Sequence, residues 1–166
     1  MIYQYAPKLK KQIEKTVCLL LAFLSAFCYA ISMGDRVLYP AALQLLAFLS
    51  LAFAILIASG YLLRSYVYCV EENPTSSVPD FTVTELRGKR RAVVCRVSLR
   101  DIVKVEQIHS KNKRELLRTS RSTQRYDYTA SMSYDGAYLL TVMQGDTAIL
   151  VRILANEGLL RFFLNS

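Results

Sequence analysis

The chain contains two long stretches without a charged side chain, TVCLLLAFLSAFCYAISM at residues 16–33 and AALQLLAFLSLAFAILIASGYLL at residues 41–63. As helices, with about 1.5 Å of rise per residue, they would be about 27 and 35 Å long, which brackets the ~30 Å hydrocarbon core of a bilayer. The connection GDRVLYP at residues 34–40 leaves room only for a tight reversal. The sequence therefore predicts a transmembrane helical hairpin.

The distribution of charge predicts how this hairpin is oriented. Residues 1–15 carry four lysines and one glutamate, a net charge of +3, and residues 16–63 are neutral because Asp35 and Arg36 cancel. Residues 64–166 carry 16 basic and 11 acidic side chains, a net charge of +5. Lys and Arg are enriched in cytoplasmic flanks. We therefore expect a multi-pass protein of the cell membrane with both termini in the cytoplasm and with residues 1–15 as a basic cytoplasmic segment.

A cleaved signal peptide is the alternative explanation of the first apolar stretch. The stretch has a basic start, and the small residues Ala30 and Ser32 would suit a cleavage site. However, its apolar part is longer than the usual core of a signal peptide, and a second apolar stretch follows at once. These features favour two spans.

Small residues recur every fourth position in both stretches, a spacing that lets helices approach closely in lipid. One explanation is packing of the two helices of the hairpin against each other, and the other is an interface with a second copy or another membrane protein. Neither stretch contains an acid, a base or a histidine, so transport by this subunit alone is not expected. The helix-packing residues predicted in this way are Ala22, Ala26, Ala30, Ser50, Ala54 and Ala58.

From Tyr66 onward the pattern changes to the alternation with period two that is typical of half-buried strands. A face shared by Val93, Cys95, Val97 and Leu99 is one example. Asp135-Gly136 is the strongest hairpin signal, and Asn156 is placed to cap a final helix. Residues 64–166 are therefore predicted to form a cytoplasmic domain, an antiparallel sheet curled into a partly open barrel and closed by the C-terminal helix. The seven predicted strands lie at residues 66–70, 81–85, 93–99, 102–108, 126–133, 138–143 and 147–153.

Several short motifs carry a resemblance to a known group of proteins: Tyr66-Val67-Tyr68, the hairpin Arg87-Gly88-Lys89-Arg90-Arg91, the run 97–102, Tyr126-Asp127-Tyr128 and the terminal Glu157, Leu159 and Leu160. With two spans before it, this domain resembles that of bacterial membrane proteins of uncharacterised function that have a C-terminal pleckstrin-homology-like domain. The proline-containing loop 73–80 and Ala155, where proline is expected, depart from the pattern. The resemblance predicts the domain architecture of the chain but gives almost no indication of a biochemical activity.

The hairpin residues Arg87, Lys89, Arg90 and Arg91 are the candidate anion- or lipid-binding residues. The resemblance implies such a role, because basic residues of the first hairpin hold head-group phosphates in pleckstrin-homology domains that bind phosphoinositides. Diffuse attraction to anionic lipid, a defined anion pocket and an acidic face of a partner protein are all compatible with the cluster. The basic loop 109–125 is the alternative lipid-binding segment. Nucleic acid is not expected, since no basic strand is interleaved with aromatic residues.

No pattern in the chain indicates catalysis, a metal or a cofactor. Four cysteines without a C-x-x-C pair and a single histidine, His109, do not form a conventional zinc site or a disulfide framework. Asp101 and Glu106 are expected to pair with Arg100 and Lys104 rather than to work as an acid–base pair. We expect no enzyme, no cofactor and unpaired thiols.

The expected function is therefore that of a membrane-anchored, non-catalytic interaction or regulatory module in contact with the lipid bilayer. One alternative is a sensor of anionic lipid head groups that works through the basic hairpin. Another is an accessory subunit of a transporter or secretion complex.

Overall fold

A computed structural model of the chain describes residues 2–7, 11–34, 39–108, 124–133 and 136–164. The chain divides into two compact units, Lys10–Arg64 and a second unit that combines Met1–Leu9 with Ser65–Ser166. The first unit contains two long apolar helices, and the second is mostly β with two sheets and a C-terminal helix. This confirms the coarse architecture predicted from the sequence.

The helical unit consists of α1, Gln12–Ser32, and α2, Pro40–Ile57, which continues as a π-helical turn over Ala58–Leu62. Both helices, of 21 and 23 residues with the π-helical turn included, are long and apolar enough to cross a membrane. Most of their large apolar side chains are exposed, and Leu19, Phe23 and Phe48 are each more than 60% accessible. Core helices of soluble proteins bury such side chains, so this pattern favours a lipid environment.

The two helices pack through small and polar side chains. On α1 the buried positions are Glu14, Ser25, Cys28 and Ser32, and on α2 they are Ala47, Ser50 and Ala54. The Cys18 thiol donates to the carbonyl oxygen of Ala54 at 3.5 Å. Small residues at this interface allow the close approach that the sequence predicted for α2.

The packing face of α1 differs from the prediction. Ala22, Ala26 and Ala30 are all exposed, whereas Ser50 and Ala54 of α2 are buried and Ala58 is half-buried. A step of four residues advances about 400° around a helix, so a strict four-residue stripe drifts by about 40° per step. With the half-buried Cys18 and Leu21 included, the buried positions of α1 alternate steps of four and three from residue 14 to residue 32, which keeps them on one side.

The Lys11 side chain donates hydrogen bonds to carbonyl groups at the C-terminal end of the second helix. Its Nζ donates to the carbonyl oxygen of Tyr61 at 2.6 Å, to that of Leu62 at 3.4 Å and also to that of Arg64. These carbonyls lie in and just beyond the last turn, where no further helical N–H follows to bond them. Burial lowers the pKa of the Lys11 amine, and three carbonyl partners offset part of the cost of burying that charge.

The β unit contains two four-stranded sheets. The first has the strand order β1-β2-β3-β4, with β1 at Tyr3–Tyr5, β2 at Arg64–Glu71, β3 at Asp80–Arg87 and β4 at Arg90–Ser98. The second has the order β5-β7-β8-β6, with β5 at Ile102–Gln107, β6 at Gln124–Asp127, β7 at Tyr138–Gln144 and β8 at Thr147–Ile153. A 3-10 turn, Leu99–Asp101, joins β4 to β5, and α3 spans Glu157–Leu164.

The core lies between the sheets and α3. Tyr68, Phe81, Leu140 and Ile153 are fully buried, and Leu159 of α3 joins them. The Tyr68 hydroxyl donates to the carbonyl oxygen of Tyr128 at 2.7 Å and accepts from the Leu154 N–H at 3.2 Å. These two bonds offset the cost of removing the Tyr68 hydroxyl from water. Burial raises the pKa of Tyr68 well above its ordinary value.

The strand β1 was not predicted, since residues 1–15 were expected to form a separate basic segment. It pairs antiparallel with β2, with Tyr3 opposite Val70, Gln4 opposite Cys69 and Tyr5 opposite Tyr68. The strand before α1 and the strand after α2 are therefore neighbours in one sheet.

The region after β6 also differs from the prediction. The strand expected at 126–133 ends at Asp127, and β6 runs parallel to β8 instead of forming a hairpin with β7. The buried Arg152 guanidinium bonds the Asp127 carboxylate at 3.0 Å, the Thr129 hydroxyl at 2.6 Å and the Ser131 carbonyl at 2.7 Å. These bonds turn residues 128–131 toward the Arg152 guanidinium. Residues 128–131 therefore do not continue the β6–β8 ladder. Of the predicted Asp135-Gly136 turn, Asp135 lies outside the described residues.

The faces of β4 differ from the prediction at one residue. The β3–β4 register shifts between Val83 and Thr84, which face Cys95 and Val93, so Val94 is an extra residue in β4. Because such a bulge reverses the alternation, Val93 is 59% exposed while Cys95 and Val97 pack on the core.

We expect the substitution Lys11→Met to lower the stability of the helical unit by about 1.5–3 kcal/mol, since it removes a charged donor from carbonyls that have no replacement. Thermal unfolding of the full chain in detergent measures the effect. Lys15→Met, at an exposed position one turn later, is the matched control. Equal stability of the two variants would contradict the role given to Lys11.

Candidate functional site

The basic hairpin is built by a two-residue turn between β3 and β4. Gly88 has a φ of +60°, which only glycine adopts without strain, and glycine at the first turn position is typical of a type II′ turn. Arg87 lies directly opposite Arg90, and Leu86 lies opposite Arg91. The turn therefore places Lys89 at the tip with the three arginines on the two strands behind it.

All four cations of the hairpin, Arg87, Lys89, Arg90 and Arg91, are exposed. Like charges directly opposite each other in a sheet are unfavourable, so the Arg87–Arg90 pair costs stability unless an anion lies nearby. Within the part of the chain that the structure describes, none of the four has an ion pair. The structure thus brings the predicted residues together as one cation cluster.

Neither of two cavities that lie among the described residues is lined by a residue of the hairpin. A pocket that encloses a head group needs concave walls. Diffuse attraction to an anionic surface requires only the exposed charges of the cluster. Of the alternative loop 109–125, residues 109–123 lie outside the described part, and Arg125 lies on β6.

One cavity, of about 370 Å³, lies between β4 and the second sheet. Its lining includes Cys95 and Tyr128, whose hydroxyl donates to the carbonyl oxygen of Val94 at 3.2 Å. Burial raises the pKa of the Cys95 thiol and raises that of Tyr128 to about 12. Both groups are therefore protonated near neutral pH, and the thiol is a poor nucleophile there.

The other cavity is an open groove of about 880 Å³ beside α3, with Arg100 and Arg161 in its lining. Sequence reasoning did not identify it, because its walls come from four separate segments. Arg100 has no ion pair among the described residues, although a pair with Asp101 was expected. The expected pair of Lys104 with Glu106 is present at 2.9 Å.

Other chemistry-bearing residues form no cluster. All four cysteines are free thiols, and no group of three potential metal ligands occurs among the described residues. Glu71 pairs with Arg96 at 3.6 Å, with the Arg96 side chain exposed and the Glu71 side chain half-buried. His109 lies outside the described residues.

Comparisons with models of known protein families, with curated proteins and with solved structures found no match for this chain. The resemblance to proteins with a pleckstrin-homology-like domain therefore stays a prediction.

We expect anionic lipid to protect the hairpin from hydrogen exchange. The full chain in nanodiscs of phosphatidylcholine with phosphatidylglycerol should exchange its amides at 85–92 more slowly than in phosphatidylcholine alone. The difference should vanish at about 1 M salt, where charges are screened over ~3 Å. The combined substitution of Lys89, Arg90 and Arg91 by Ala should abolish it.

Arg96→Ala is the matched control, because Arg96 is exposed on the same strand but outside the hairpin. It should leave the lipid-dependent protection unchanged. Protection that persists in the triple variant would show that Lys89, Arg90 and Arg91 do not cause it and would contradict the role given to the cation cluster. A strong preference for one anionic lipid would contradict diffuse attraction and indicate a pocket.

Proposed function

We propose that this chain is a membrane-anchored, non-catalytic interaction or regulatory module whose β domain lies at the cytoplasmic face of the cell membrane. The observation that carries the proposal is the pairing of β1 with β2. Because β1 precedes the first long helix and β2 follows the second, the two flanks of the helix pair belong to one folded domain. A pair of transmembrane helices fits this only if both flanks emerge on the same side.

The charge of the flanks supports the cytoplasmic side. Residues 1–15 have a net charge of +3 and residues 64–166 a net charge of +5, whereas the segment between them is neutral. Positive charge close to helix ends is retained in the cytoplasm. The charge distribution therefore favours a cytoplasmic location for both flanks.

The non-catalytic role is supported by the chemistry of the described residues. Burial raises the pKa values of Tyr68, Cys69 and Cys95, which is the opposite of what an activated nucleophile needs. The exposed cations of the hairpin are suited to binding rather than to bond breaking.

Sensing of anionic lipid is the second candidate function, and the exposed cation cluster at 87–91 favours it. Each such cation near an anionic surface gains roughly 1 kcal/mol. The two functions are compatible, because attraction of the hairpin to lipid would also orient the domain for a partner.

The topology is tested with fusions to alkaline phosphatase, which is active only outside the cytoplasm. We expect a fusion after Ser166 to be inactive and a fusion after Tyr39, between the helices, to be active. Activity after Ser166 would overturn the cytoplasmic placement. Activity at both positions would show that the second helix does not return the chain to the cytoplasm.

The interaction role is tested by purification of the intact chain from solubilised membranes, with a chain that ends after Leu63 as the control. A protein retained by the intact chain and lost with the β domain supports the proposal. Retention by both chains would place the interaction on the helices, and purification of the intact chain alone would contradict an interaction role.

A further inference from the structure

The groove beside α3 combines an apolar interior with two cations. Tyr3 of β1, Val78 of the loop before β3, Leu99 of the 3-10 turn and Phe162 of α3 contribute its apolar lining. Arg100 and Arg161 contribute the guanidinium groups. A volume of about 880 Å³ lies within the ~300–1,000 Å³ that is usual for small-molecule sites.

The wall formed by Tyr3 is fixed in place by contacts to α3. The Tyr3 hydroxyl donates to Asn156 Oδ1 at 3.0 Å and accepts from Asn156 Nδ2 at 2.8 Å. Asn156 Oδ1 also accepts from the Leu159 N–H at 3.0 Å, which makes Asn156 the cap of α3 as the sequence predicted. The rings of Tyr3 and Phe162 lie 5.5 Å apart. These hydrogen bonds and the ring contact hold the Tyr3 wall of the groove against α3.

Gly158 is required for this arrangement. A Cβ atom at position 158 would lie 2.5 Å from the Tyr3 hydroxyl oxygen and 3.0 Å from the ring carbon that carries it. Any side chain at this position would therefore push Tyr3 away from α3. Glycine early in a helix costs helix stability, and here it makes room for the wall of the groove.

The two arginines are available to a ligand. Arg100 and Arg161 are exposed, and neither has a hydrogen bond or ion pair among the residues that the structure describes. The floor below Arg100 is rigid, since Leu99 is 3% exposed and its N–H donates to the Pro79 carbonyl oxygen at 3.0 Å. Guanidinium groups bind carboxylate and phosphate through paired hydrogen bonds.

We propose that this groove is a binding site for an amphiphilic anion, a molecule with an apolar chain and a carboxylate or phosphate head. The apolar lining would take the chain, and Arg100 and Arg161 would bind the head. No residue of the basic hairpin lines this groove. A ligand there would contact Tyr3 and therefore β1, the strand that precedes α1 along the chain. The proposal does not depend on the membrane orientation of the protein.

The test uses the full chain in phosphatidylcholine nanodiscs and three photoreactive probes that carry the same diazirine-bearing acyl chain. They are a palmitic acid analogue, the corresponding alcohol and a phosphatidic acid built into the nanodisc. We expect the acid or the phosphatidic acid to label peptides that contain Val78, Leu99 or Phe162, and the alcohol to label them much less. Labelling by the acid identifies a free fatty acid, and labelling by phosphatidic acid alone identifies a bilayer lipid.

The combined substitution of Arg100 and Arg161 by Gln should reduce labelling at least about tenfold, because charge-assisted hydrogen bonds are worth more than the ~1.4 kcal/mol that corresponds to a factor of ten. Arg96→Gln, on β4 outside the groove, is the matched control and should label like the parent. Val78→Trp should block the groove while both arginines remain. Circular dichroism and thermal unfolding verify that each variant is folded.

Three results would overturn the proposal. They are equal labelling by the acid and the alcohol, labelling confined to peptides outside the groove, and labelling that neither the arginine variant nor Val78→Trp reduces. Because the groove lies outside the hairpin, loss of lipid protection at residues 85–92 has no bearing on this result.

Discussion

The antiparallel pairing of Tyr3–Tyr5 with β2 determines how the rest of the molecule is connected. Backbone N–H and C=O groups that leave water must be bonded, and β1 supplies partners for the outer edge of β2. It thereby joins the N-terminal residues to a domain whose other strands begin more than fifty residues later in the chain. The same strand delivers Tyr3 to α3. One short ladder thus links the flanks of the helices, the sheet and the C-terminal helix.

The exposed arginines of the hairpin and those of the groove differ in their surroundings. The hairpin places Arg87 directly opposite Arg90 beside a two-residue turn. The groove contains Arg100 and Arg161 together with a buried leucine and two aromatic rings. We propose that the first pair of arginines faces an anionic surface and that the second binds a single amphiphilic molecule.

Much of the fold could be predicted because it depends on local patterns. Absence of charge identified both long helices, alternation identified most strands, and Gly88 and Asn156 were recognised from their turn and cap chemistry. The pairing of β1 could not be predicted, because three residues carry too little pattern and their partner is distant in sequence. The end of β6 depends on Arg152, whose burial no local rule reveals. The bulge at Val94 likewise follows from the register with β3.

The candidate sites show the same division. The hairpin cations are adjacent in sequence, so their clustering was evident. Arg100 and Arg161 are far apart in sequence, and the groove between them exists because Gly158 lets Tyr3 approach α3. The face of α1 that packs on α2 does not follow the alanine stripe, because a strict four-residue repeat drifts around the helix over several turns. The alternative role of the stripe, at an interface with a second copy or another membrane protein, stays a prediction.

The most direct test of the β1–β2 pairing uses Cys69 and the residue opposite it, Gln4. Opposite residues in antiparallel strands have Cα atoms about 4.5–5.5 Å apart, within the range of a disulfide. In a chain with Cys18, Cys28 and Cys95 replaced by Ser, mild oxidation of the Gln4→Cys variant in native membranes should give an intramolecular bridge to Cys69, detected as a linked peptide pair by mass spectrometry. Lys15→Cys in the same background should give none. Failure of the Gln4→Cys variant to form the bridge, or formation of intermolecular dimers only, would contradict the pairing on which this account depends.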